Sequence, residues 1–205
     1  MRDLIRKILN EVKFSQEHAD QLKEKFGWRF VQTTNPSETK NYKKLHIYTF
    51  RSPKYKYIVH IEEYEYDFYL ISFFPKMNKD FYVKQAKLAG HGQEHSDEYS
   101  YFTKENIPLQ ILSLMISEMK KILKDKPYSS FGYFGAPDSK TGKDDDMFNT
   151  KRMRVYNKIV LDELSNTHLI FSDPTYSGSV ILNKDVLEEY PAYKSYCLDI
   201  LVSHL

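Results

Sequence analysis

Residues 144–156, DDDMFNTKRMRVY, place three carboxylates, one carboxamide and three cations within four helical turns of chain. Asn149 has the side chain of a helix N-cap, an oxygen able to accept a backbone N–H, and Asp144, Asp145 and Asp146 lie on the side where the helix dipole favours negative charge. Lys151, Arg152 and Arg154 run against that preference. Either they pair with the three aspartates, or they hold something negative from outside, since free N–H groups and guanidinium forks both favour phosphate or carboxylate. Met153, Tyr156, Val160 and Leu164, flanked by Val155 and Ile159, make an apolar stripe, while Lys151, Arg154 and Lys158 fall on another face. The candidate ligand-binding set is therefore Asn149, Lys151, Arg152, Arg154 and Tyr156. No catalytic residue is assigned.

Other chemistries are weaker on spacing. GAPDSKTGKD resembles a phosphate loop, but six residues separate Gly135 from Gly142 where four are needed, and Asp144 replaces the hydroxyl that would bind Mg²⁺. His91, His95, Asp97 and Glu98 are metal-ligand types, yet Gly92 between the histidines favours an exposed loop, so no metal is expected. Glu62, Glu63, Glu65 and Asp67 cluster where a hairpin is predicted and read as a solvated turn rather than an acid–base pair. Cys197 lies among Tyr196, Leu198 and Ile200 and reads as a buried, inert thiol.

The elements that would position these groups follow from hydrophobic period. Leu4, Ile5, Ile8, Leu9 and Val12 predict an amphipathic helix over 2–13, and Ser15 and Gly27 bracket a second over about 15–26. From Trp28 the period becomes that of strands: WRFVQTT, KKLHIYTFR, YKYIVHIEEY and FYLISFF, joined by NPSETKN, SP and EYD, form an antiparallel meander. FYVKQAKL at 81–88 is a possible further strand before a polar loop at 89–102. Residues 104–124 carry a helical stripe of Leu109, Leu112, Ile116, Met119 and Leu123, with Pro108 in the first turn. YSSFGYF, HLIFS and SVIL are strands, 150–164 is a helix, and the last helix breaks near Pro191. This order gives an α+β fold, a mixed and mainly antiparallel sheet with packed helices. The expected organisation is an N-terminal helical segment, 1–26, and a single α+β domain, 27–205.

Composition limits the function classes. With 30 Lys+Arg against 28 Asp+Glu in 205 residues, the net charge of +2 supplies no general field toward nucleic acid or anionic membrane. A hydrophobic fraction of 41% with 15% aromatics suffices for a core. The opening lacks the apolar run of a signal peptide, and no stretch approaches a membrane span of about 20 apolar residues. A cytoplasmic protein is expected, with virion association as a variant and the N-terminal helix as a possible protein-binding element. RNA binding, through the sheet tyrosines with Lys54 and Lys56, is a further alternative.

Two resemblances add to this reading. The spacing from Asn149 to Tyr156, with the strand and helix order over about 43–171, resembles the GCN5-related N-acetyltransferases, which implies an acetyltransferase-like fold, acetyl-CoA as donor and Tyr156 as general acid. YKYIVHIEEY, FYLISFF, LQILSLMISEMKKIL, NTKRMRVY and YSGSVILNKD resemble a group of uncharacterised domains of Bacteroidetes and large tailed phages, which implies a phage or mobile-element origin. The leading expectation is a non-enzymatic accessory or binding protein that engages a protein or anionic ligand near 149–156, without a cofactor. A divergent acyltransferase is the alternative.

Overall fold

The structure, a computed structural model, describes residues 15–36, 40–76, 108–134, 151–173 and 178–204, with backbone alone at 108, 151–153 and 173. Its elements are α1 (Gln16–Phe26), β1 (Arg29–Thr34), β2 (Lys44–Arg51), β3 (Lys56–Glu63), β4 (Phe68–Pro75), α2 (Pro108–Asp125), β5 (Ser130–Phe134), α3 (Lys151–Leu164), β6 (His168–Asp173), β7 (Gly178–Asn183), α4 (Lys184–Glu189) and α5 (Tyr193–Val202). They form one α+β architecture, a seven-stranded sheet in the order β1-β2-β3-β4-β5-β7-β6. Every neighbouring pair is antiparallel except β4 and β5. A parallel pair cannot be joined by a hairpin, and the connection that returns the chain includes the 18 residues of α2.

Helices cover both faces. On one, α1, α2 and α3 pack on Phe50, Tyr57, Val59, Ile61, Tyr69, Ile71, Phe131, Tyr133 and Ile181. On the other, Tyr193, Cys197, Ile200 and Leu201 pack on Phe68, Leu70, Val180 and Leu182. β7, between two partners and under both layers, is buried at all six positions, and its Val180–Leu182 segment is apolar on both faces, as a doubly covered strand requires. Cys197 is fully buried, and burial pushes its thiol up to about 12. Among the described residues no helix is long and apolar enough to cross a membrane.

Local chemistry sets the element ends. Ser15 accepts the His18 N–H, and Gly27, at φ 60°, closes α1 with bonds from the Gly27 and Trp28 N–H groups to the Glu24 and Lys23 carbonyls. Ala19, Leu22 and Phe26 are buried, and Lys23 reaches the nearly buried Glu118 of α2 at 2.8 Å and Ser117 at 2.9 Å. Residues 15–26 therefore share the core of the body. The helix expected over 2–13 lies outside the described residues, as do the possible strand at 81–88 and the loop at 89–102. The break near Pro191 separates α4 from α5.

Two features depart from regular geometry. Among the described strands β1 ends the sheet, with Phe30 54% and Val31 50% exposed, and its register with β2 shifts between Phe30 and Gln32, a bulge at Val31. The EYD connection is a 3-10 turn in which Tyr66 (φ 56°) and Asp67 (φ 52°) are left-handed, costing about 1–2 kcal/mol per residue. Lys126 to Asp67 at 2.8 Å, Lys43 to Glu65 at 2.6 Å and the Tyr193 hydroxyl donating to the Tyr66 carbonyl at 3.1 Å hold it.

Close packing at β5 gives a direct test. A Cβ at Gly132 would sit 2.9 Å from the Phe68 ring and 3.0 Å from Leu70. Gly132→Ala is expected to lower stability by about 1–3 kcal/mol, as overpacked cores do. Urea unfolding followed by circular dichroism measures it, and a wild-type midpoint would contradict this packing.

Candidate functional site

α3 flanks the place where the two central strands cease to pair. β4 and β5 run together from Phe68–Ser130 to Ile71–Tyr133, whereas Ser72–Pro75 continue against β3. Among the described residues the parallel ladder thus stops before β4 does, leaving a wedge at the carboxyl ends of the pair. Phe73, Leu112, Met115, Tyr133, Phe134 and Tyr156 line a small, mostly apolar hollow there. Carboxyl ends of neighbouring strands are where open α/β sheets take ligands, because diverging chains leave a crevice that side chains do not fill.

The predicted site residues divide according to helical period. Tyr156 is 7% exposed and forms part of the wall of the hollow. Arg154, two residues earlier and so on the opposite side of the helix, is exposed. Ile159, Val160 and Leu164 continue the buried stripe, and Lys120 of α2 grips Glu163 at 2.5 Å. Lys158 pairs with Asp162 one turn on, at 3.0 Å. Lys151 and Arg152 open α3 by their backbone, and their side chains lie outside the description. Asn149 and Asp144–Asp146 lie outside the described residues, as do the Gly135–Gly142 loop and His91, His95, Asp97 and Glu98.

A polar network absent from the sequence reading stands beside the wedge. Asn157 Oδ1 accepts from the Tyr133 hydroxyl and, at 3.0 Å, from Ser179, while its Nδ2 donates to Ser172 Oγ at 2.7 Å. Ser172 and Ser179 share a further bond at 2.9 Å. The group ties α3 to β5, β6 and β7 and fixes the Tyr133 ring in the wall of the hollow. Burial, countered in part by Ser179, holds the Tyr133 hydroxyl above its ordinary range, so it stays protonated.

The acidic group on β3 requires a correction. Glu65 is exposed and Asp67 half-buried, but the side chains of Glu62 and Glu63 are only 13% and 12% exposed and serve as long-range anchors, not as a solvated turn. Glu63 meets Lys126 at 2.9 Å and His46 at 3.5 Å. Glu62 accepts from the Tyr64 hydroxyl at 2.6 Å and from His204 Nε2 at 2.7 Å, while His204 Nδ1 donates to the Ile200 carbonyl at 2.9 Å. With an oxygen acceptor at each ring nitrogen, the protonated form of His204 is favoured. Burial alone would lower its pKa, but the Glu62 and Ile200 bonds outweigh burial and raise it. Burial would likewise raise Glu62, and the His204 and Tyr64 bonds bring it below its usual range.

Sheet tyrosines are likewise committed to packing. Tyr57 lies parallel to Phe50 at 4.7 Å, Tyr48 stacks with Trp28 at 5.3 Å, and Tyr69 is buried under Lys126. Among the described residues no three His, Cys, Asp or Glu side chains converge to hold a metal ion. No family model, no curated protein and no solved structure matches the chain.

Two outcomes follow from the polar contacts. Asn157→Ala strands two hydroxyls and is expected to cost about 1–3 kcal/mol, read as a lowered urea midpoint. The Glu62–His204 contact stabilises fully between the unfolded reference values of 4.5 and 6.5. Its contribution falls as pH drops through the depressed Glu62 pKa and falls again as pH rises through the elevated His204 pKa. The difference in melting temperature between wild type and His204→Gln should therefore peak in that window and shrink toward pH 9. Taking the difference cancels His60 and His168, whose pKa values burial lowers. A difference that grows with pH would contradict the contact.

Proposed function

We propose that the protein is a non-enzymatic binding or accessory protein that takes an anionic group, from a ligand or a protein partner, at the start of α3 beside the wedge. One juxtaposition carries this reading: an apolar hollow walled by Tyr156 next to a helix turn that presents Arg154 outward and opens on Lys151 and Arg152. An apolar crevice with few polar or charged groups at its rim is the usual form of a binding site, with the rim setting orientation. The likeness to uncharacterised phage and Bacteroidetes domains supports a phage- or mobile-element-encoded protein acting in the cytoplasm or with the virion.

The wedge also favours a second reading, a divergent acyltransferase. In that reading an acyl-CoA donor lies between β4 and β5, an acceptor amine attacks the thioester carbonyl as its C–S bond breaks, and Tyr156 supplies the proton to the leaving thiolate.

Calorimetric titration with inorganic pyrophosphate and with acetyl-CoA separates the two. The binding reading expects saturable pyrophosphate binding weakened about ten-fold by Arg152→Ala or Arg154→Ala, each removing a charge-assisted contact, and acetyl-CoA no tighter than pyrophosphate. Much tighter acetyl-CoA binding, with acetyl transfer lost in Tyr156→Phe, transfers the assignment to the acyltransferase. If neither compound binds, the anion site at α3 is refuted.

A further inference from the structure

We infer that the tyrosine-walled turn at Glu65–Asp67 is a docking surface for an arginine side chain presented by a protein partner. This surface is independent of the wedge. It lies before β4, whereas the wedge lies at the far end of that strand, about 23 Å away at strand spacing.

The first observation is an aromatic group that folding leaves in water. Tyr66 is 67% exposed and Tyr190 54% exposed. The Tyr66 ring stands edge-on to Tyr196 at 5.5 Å and 90° and to Tyr193 at 6.4 Å and 79°, while Tyr193 and Tyr196 lie nearly parallel, at 19°. Rings set at right angles make a corner, and a ring face attracts a cation through its quadrupole. The Tyr190 carbonyl accepts from the Tyr193 N–H at 2.9 Å, which ties the exposed Tyr190 to the same stretch of chain.

Charge is the second observation. Glu65 and Asp67 are the chain neighbours of Tyr66, the first exposed and the second half-buried, and the exposed Glu188 and Glu189 end α4 beside Tyr190. Lys43 balances Glu65 and Lys126 balances Asp67. Among the described residues no cation pairs with Glu188 or Glu189, so the α4 side of the corner is negative. Such a surface repels phosphate and excludes nucleic acid as its occupant. Arginine fits better than lysine, because a planar guanidinium stacks on a ring and offers its edge to a carboxylate at once, whereas an ammonium is a hydrated point charge.

The backbone supplies the third. Two consecutive residues other than glycine, Tyr66 and Asp67, are held left-handed, and the result is a tyrosine pushed outward instead of a buried one. Tyrosine and arginine are the side chains that dominate the energy of protein interfaces when they meet in such corners.

A fluorescent peptide of alternating arginine and glycine, titrated by anisotropy into the full chain, tests the surface against its lysine counterpart. Saturable binding of the arginine peptide is expected, several-fold tighter than the lysine peptide. Tyr66→Ala and Tyr190→Ala should each weaken it about ten-fold, and Tyr66→Phe, which keeps the ring, by roughly two-fold or less. Tyr66→Gly suits the left-handed backbone and is expected to keep the melting temperature while losing the peptide, separating docking from folding. Absent saturation, equal affinity for the lysine peptide, or wild-type affinity in both Tyr66→Gly and Tyr190→Ala would overturn the proposal.

Discussion

The parallel contact between β4 and β5 is the constraint on which the rest of the architecture depends. It needs a long return path, and α2 within that path carries Leu112, Ile116 and Met119 onto one face of the sheet. Once that face is occupied, α1 and α3 complete the same layer, and the opposite face is left for α4 and α5. The contact is also short. Four residue pairs join the strands, so the pair acts as a seam closed at one end and open at the other.

The two ends of the sheet differ in polar content as a result. At the closed end, His168 is buried and bonds to the Ser129 carbonyl at 2.9 Å and to Thr167 at 2.7 Å, Ser130 accepts the Asn183 N–H at 3.0 Å, and Asn183 caps α4. Each such group satisfies a neighbour that burial would otherwise leave without a partner. At the open end the hollow is walled by aromatic and aliphatic side chains, with Asn157 and two serines gathered to one side. The rigid end suits a support, and the open end suits exchange of contacts with another molecule.

Much of the fold is legible in the sequence because it rests on short-range pattern. The alternation of Tyr57, Val59 and Ile61 gives β3, the 3.6-residue stripe from Tyr156 to Leu164 gives α3, and Pro191 gives the break between α4 and α5. The placement of β7 between β5 and β6 is not written in any local period. The roles of Glu62 and Glu63 are hidden from local pattern for the same reason, since their partners His204 and Lys126 lie 142 and 63 residues away. In the candidate site, helical period separates Tyr156 inside from Arg154 outside, but it cannot reveal that Asn157 collects hydroxyls from β5, β6 and β7. Those bonds exist only after the sheet has ordered its strands.

The bulge at Val31 has a bearing on how the molecule behaves in a crowd. An outermost strand with two apolar side chains in water is a template on which strands of neighbouring molecules can align and propagate into fibrils. One extra residue in β1 interrupts the regular spacing of its amides and carbonyls, so an incoming strand that matches the first half of the border falls out of step with the second. A border that is sticky but out of step tolerates brief encounters and resists endless ones.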